Sequence, residues 1–130
     1  MKRRVDALRR AARVQRSAAR TGFDWPAGDP ALWRKLHEEI RELKAVAARP
    51  RQAREELGDL LFMVVNLSRH LKVSAGRALT DAIRKFERRY AHVMKHAKAL
   101  PRKGHPRRLA AMERLWQDAK RREKKGVRSI

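Results

Sequence analysis

The sequence predicts an all-α protein, a helical bundle of about five helices, on three observations. Ala, Leu, Arg, Lys and Glu dominate, whereas Val and Ile are sparse. Apolar residues recur at steps of three and four and do not alternate with polar ones as a strand requires. Gly and Pro cluster at a few positions that cut the chain into helix-sized pieces.

The first helix is expected over residues 4–20, closed by Gly22, with Phe23, Asp24, Trp25 and Pro26 forming the next loop. Its Arg-rich start, with Asp6 the only acid before position 20, has the composition of a transit peptide; its direct run into the rest of the chain favours a basic first helix. Asp29 and Pro30 suit the N-cap and first turn of a second helix reaching about Ala48. Pro50 ends that helix and opens a third, which runs to about Leu71. Ser74 can cap a fourth that continues to about Ala97. Leu100 to Arg107, with Pro101, Gly104 and Pro106, reads as a loop before a fifth helix over about Leu109 to Lys124.

Leu36, Ile40, Leu43 and Ala47 form an apolar stripe on the second helix, and Leu79, Ile83, Phe86, Tyr90, Val93 and Ala97 form one on the fourth. The third differs: Leu60 to Val65 are apolar nearly all round, which predicts a central position or a subunit interface. With 130 residues the chain is expected to form a single domain, 1–130, its modest core completed by dimerisation.

No apolar run approaches the ~18 residues of a membrane span, so no membrane partner is expected. The chain has no cysteine, which excludes disulfides and thiolate zinc sites and fits a cytoplasmic setting. A net charge of +21 attracts polyanions: nucleic acid, anionic lipid or nucleotide.

Against that background the acids are unevenly placed. Glu38, Glu39, Glu42, Glu55, Glu56 and Asp59 are six of the fourteen in the chain, and their window carries a net charge of −1. Glu39 and Glu42, three apart, are neighbours on one helical face beside Leu36 and Leu43. Glu56 and Asp59 repeat the arrangement beside Leu60 and Met63. The 13 residues between Glu42 and Glu56 let the third helix return alongside the second. Four carboxylates could then converge. Bare, they repel; an oxygen-seeking divalent cation, Mg²⁺ or Mn²⁺, relieves that. A lone E-x-x-E would read as a solvated face, with pairs such as Arg51 and Glu55.

These residues resemble a known family. Glu38-Glu39-Ile40-Arg41-Glu42 followed by Glu55-Glu56-Leu57-Gly58-Asp59-Leu60-Leu61-Phe62 is similar to the signature of the MazG nucleotide pyrophosphohydrolases, in the all-α NTP pyrophosphohydrolase superfamily. The likeness extends over Ala11 to Gln15, Gly22 to Pro26, Val65 to Leu71, Lys85 to Arg89 and Met112 to Lys120.

The resemblance implies a helical, dimeric Mg²⁺-dependent enzyme that hydrolyses nucleoside triphosphates to the monophosphate and pyrophosphate. It implies metal binding by Glu39, Glu42, Glu56 and Asp59, with Glu38 beside them to hold metal or orient water. It assigns Lys85 and Arg89 to the phosphates and places Trp116 near the nucleotide. Lys85 and Arg89 lie four apart on one face, as two cations gripping a triphosphate would. Trp116, among Met112, Leu115 and Ala119, suits a core position equally well, and Trp25, Trp33 and His70 read as packing residues.

Three features depart from the family: Ile83 where an asparagine is common, Arg34 where an aspartate is usual, and the extreme basic charge. The charge keeps a second reading open, a helical module from the same fold that binds nucleic acid.

Overall fold

The computed structural model describes residues 7–126. They form five α-helices: α1 (Ala7–Arg20), α2 (Ala31–Ala45), α3 (Pro50–His70), α4 (Ala75–Lys95) and α5 (Arg108–Lys124). A 3₁₀ turn, Ala97–Ala99, follows α4, and there is no strand among the described residues. The all-α expectation therefore holds. The expected residues 4–6 of the first helix lie outside the described residues.

Local chemistry explains the ends. After α1, Gly22 takes φ +95°, and the Phe23 and Gly22 amides donate back to the carbonyls of Ala18 and Ala19. This double closure needs a left-handed residue, which glycine supplies without a Cβ clash. Lys72 closes α3 in the same way at φ 60°. Asp29 Oδ1 accepts the Ala31 amide at 2.8 Å, and Ser74 Oγ accepts the Arg77 amide at 3.2 Å, as the two expected caps should. α2 stops at Ala45, three residues short of expectation, because the amides of Val46 and Ala47 turn onto the carbonyls of Leu43 and Lys44. α4 likewise stops at Lys95, where the 3₁₀ turn takes over.

The chain divides into two compact units, the first ending at Ala78 and the second starting at Leu79, within α4. In the first unit α3 is packed by both α1 and α2. Its core holds Leu32, Met63 and Val65. The buried line on α2 runs through Leu32 and Glu39, with Leu36 and Leu43 half-buried, whereas Ile40 is exposed. The buried line thus keeps Leu36 and Leu43 of the expected stripe but takes Glu39 in place of Ile40.

In the second unit Val93 and Ala119 are buried. His92 Nε2 lies 2.8 Å from Asp118 Oδ2, and the Arg89 guanidinium 3.0 Å from Glu123 Oε2. These two pairs run in opposite order along α4 and α5, so the helices are antiparallel.

Much of the apolar surface is uncovered in the single chain. Leu57, Leu61 and Val64 lie along one face of α3 and are exposed, Leu61 at 53%. Leu79, Ile83, Phe86 and Tyr90 do the same on α4. No helix among the described residues is long and apolar enough to cross a membrane.

Candidate metal and nucleotide site

α2 and α3, joined by the turn 46–49, bring acids together that lie far apart in sequence. One carboxylate oxygen each from Glu39, Glu56 and Asp59 come within 4.8 Å of one another. Glu39 is buried, Glu56 half-buried and Asp59 exposed, so the cluster opens from the helix interface toward solvent. Glu39 Oε2 and Glu56 Oε2 are buried and accept no hydrogen bond. A buried carboxylate oxygen without a donor is unfavourable, and a cation would satisfy it. The donor set is all oxygen, with neither cysteine nor histidine, which suits a hard divalent cation.

Glu42 stands outside that triangle and is exposed. Its carboxyl is nevertheless pushed up, by partial desolvation first and then by the charges of Glu39, Glu56 and Glu38. Of the four carboxylates expected to converge, three meet and the fourth borders them.

Lys35 lies 3.4 Å from both Glu38 Oε1 and Glu39 Oε1. The ammonium is pushed up by these partners, the Glu39 hydrogen bond foremost. It partly offsets the acid cluster and tethers Glu38 at its edge.

A second polar group in the same unit had no clear signal in the sequence. Gln15, only 7% exposed, donates to the Phe62 carbonyl at 2.9 Å and accepts from Arg69 at 3.3 Å. Arg69 also donates to Asn66 and, at 2.9 Å, to Asp24, which lies 3.0 Å from His70. The Arg69 hydrogen bond, chief among the causes, holds the Asp24 carboxyl down to about 2. The usable hint was Asn66 and Arg69, two polar residues three apart just after the apolar run Leu60 to Val65. Their partners 45 or more residues away could not be read from spacing.

This network walls a cavity of about 430 Å³ lined also by Val14, Phe23, Trp25 and Phe62. Phe62 and Asn66 follow Asp59 by three and seven positions on α3, so the cavity begins about one turn from the acid cluster. Trp25, expected only to pack, faces this space, whereas His70 has the structural role expected of it.

In the second unit Arg89 donates from Nε and Nη2 to Glu123 Oε2 and lies 5.7 Å from the centre of the Trp116 ring. Trp116 in turn packs on Phe86 with ring centres 5.2 Å apart. Glu123 is held down chiefly by the Arg89 hydrogen bond, with the charges of Arg89, Arg88 and Lys85 contributing. Arg89, Lys85 and Trp116 thus share one neighbourhood. Trp116 is neither fully buried nor free, being half-buried between a ring and a guanidinium.

Comparison with known proteins agrees with this arrangement. Residues 29–94, which contain the whole acid cluster, match the MazG nucleotide pyrophosphohydrolase domain. A nucleoside triphosphate pyrophosphohydrolase of Escherichia coli is 43% identical over 127 residues, covering 93% of this chain and 47% of the relative. The nucleoside triphosphate pyrophosphohydrolase/pyrophosphatase MazG of Thermotoga maritima is 49% identical over 87 residues, 66% of this chain and 33% of the relative. The chain therefore spans half or less of the length of these relatives. With its acid cluster inside the matched segment, the chain belongs to the MazG nucleotide pyrophosphohydrolase family.

Proposed function

We propose that this chain is a Mg²⁺-dependent hydrolase that converts nucleoside triphosphates to monophosphate and pyrophosphate. The observation that carries this reading is the convergence of Glu39, Glu56 and Asp59, with two buried oxygens lacking a donor. Glu39, Glu42, Glu56 and Asp59 would hold the metal, Mg²⁺ or Mn²⁺. The ion supplies charge neutralisation for the phosphates and a water of lowered pKa.

Glu38, tethered by Lys35 at the edge of the cluster, orients the attacking water. Lys85 and Arg89 bind phosphate and neutralise the leaving pyrophosphate. Trp116, packed against Arg89, lies by the nucleotide. The cavity beyond Asp59 has aromatic walls in Phe23, Trp25 and Phe62 and amide groups in Gln15 and Asn66, a lining that suits a nucleoside.

The match to the E. coli relative, which covers 93% of this chain, supports reading residues 1–130 as one domain. The exposed apolar faces of α3 and α4 support a homodimer, since a monomer rarely leaves such stripes in water. The cytoplasm, where nucleoside triphosphates are made and used, is the setting we assign. Pyrophosphate release from a panel of nucleoside triphosphates, with and without Mg²⁺, tests the reading. Release that needs Mg²⁺ supports it, and none from any triphosphate overturns it.

A further inference from the structure

The acid cluster leaves the loudest feature of the chain, its charge of +21, unexplained. From Arg88 to Met112 the sequence holds eight Lys and Arg residues and no acid. The structure sorts these cations. Arg88 and Arg89 face Glu123, and Lys95 is engaged as well. Arg108 donates to the Pro101 carbonyl at 2.7 Å. Lys98, Arg102, Lys103 and Arg107 are exposed and have no acidic partner among the described residues. Of the three α5 acids, Asp118 and Glu123 are engaged further along that helix, by His92, Arg121 and Arg122 and by Arg88 and Arg89, and Glu113 is exposed without an ion pair to any of the four cations.

These four cations sit on an ordered turn. The His105 amide donates to the Arg102 carbonyl and the Arg108 amide to the His105 carbonyl. The Arg107 amide donates to His105 Nδ1 at 3.0 Å, and Gly104 takes φ +92°. Four like charges within ten residues of a hydrogen-bonded turn repel, and a dense anionic surface relieves that repulsion.

We infer that the turn between α4 and α5, through Lys98, Arg102, Lys103 and Arg107, docks the chain on double-stranded nucleic acid by contacts to the phosphate backbone. A duplex presents a regular, dense array of phosphates that such cations can meet without a pocket. Between Tyr90 and Trp116 there is no Phe, Tyr or Trp on which an unpaired base could stack, so single strands are not what the turn is built for. Nor is there an Asn or Gln to read adenine, which leaves the phosphates as the main contacts of the four cations. Leu109 alone is a large exposed apolar side chain beside the turn, short of what a helix needs to anchor in a bilayer.

The test measures fluorescence anisotropy of a labelled DNA duplex of about 20 base pairs, titrated with the full chain between about 50 and 200 mM salt. Lys98, Arg102, Lys103 and Arg107 are changed together to Gln. The control removes the same charge from α1, by changing Arg9, Arg10, Arg13 and Arg16 to Gln. The turn variant is expected to bind about ten-fold or more weakly, with a log–log salt slope shallower by about 3–4, one contact counting about 0.9. The α1 variant should lose much less, and pyrophosphate release should be unchanged in the turn variant.

Equal losses in the two variants would mean that net charge alone matters, and would overturn the inference. Absence of duplex binding by the wild type at the lowest salt would do the same. So would tighter binding to phosphatidylserine vesicles that depends on the same four residues. Should the fourfold change reduce helicity, Lys98→Gln with Lys103→Gln is the fallback, expected to remove about half of the slope change.

Discussion

Arg89 places both Nε and Nη2 on a single oxygen of Glu123, at 3.1 and 3.0 Å, while its guanidinium lies over Trp116. The other Glu123 oxygen is buried without a hydrogen-bond partner. α5 thereby holds a cation of α4 in one orientation. The pair is neither a surface ion pair nor a fully buried one, its side chains being 16% and 23% exposed.

A double-mutant cycle of Arg89→Ala and Glu123→Ala should therefore show a coupling of about 1–2 kcal/mol, between the ranges for exposed and buried pairs. Urea unfolding of the four proteins measures it. Additivity to within about 0.5 kcal/mol would mean that the contact does not stabilise the chain.

Asp24 has its carboxyl held down to about 2 by Arg69 first, with His70 assisting. A group whose folded pKa lies below its unfolded value stabilises the fold above the unfolded value, near 4, and stops doing so as pH falls through the folded value. Wild type should thus be more stable than Asp24→Asn at neutral pH. The gap should narrow between about pH 5 and pH 2. Thermal melts across that range check it, and a constant gap would rule out the Arg69 linkage.

Glu56→Gln should lower pyrophosphate release by orders of magnitude while the helices persist, because it removes one metal-ligating charge. The metal-free variant should be as stable as wild type or more so, since the cluster is self-repelling. Its melting temperature should no longer rise with Mg²⁺ as that of the wild type does. A folded variant with undiminished turnover would refute the ligand role. Duplex binding should survive, as the change only makes the surface more positive.

Lys85→Ala should behave differently from Glu56→Gln. It should lower kcat/KM by about ten-fold or more through lost phosphate contacts, yet keep the Mg²⁺-dependent rise in melting temperature. Loss of that rise would move Lys85 from the phosphates to the upkeep of the metal site.

Leu61, about half exposed in the single chain, should tolerate Glu without loss of helicity but should no longer support a dimer. Sedimentation of wild type and Leu61→Glu at micromolar concentration compares the two. A monomeric wild type would remove the dimer from the proposed function.

Helix ends were legible because they depend on chemistry within a few residues. Gly22, Asp29, Pro50 and Ser74 each act where their residue types indicate. The places where α2 and α4 stop were less so, because no Gly or Pro marks them and the backbone slides into turns. The acid cluster was legible as two pairs spaced by three on successive helices. The Arg69 network was not, because its members come from three separate stretches and none is unusual by itself.

By itself the sequence determined the all-α class, the succession of helices and the concentration of acid on two of them, since all three follow from residue types and periods along one chain. Only the tertiary structure decided that Glu39, Glu56 and Asp59 meet while Glu42 stands aside, that Ile40 gives way to Glu39 on the buried line, and that Arg89 faces Glu123. Spacing says which side chains share a helical face. Which face meets which neighbour depends on the rotation and axial offset of packed helices, and the whole interface sets those together.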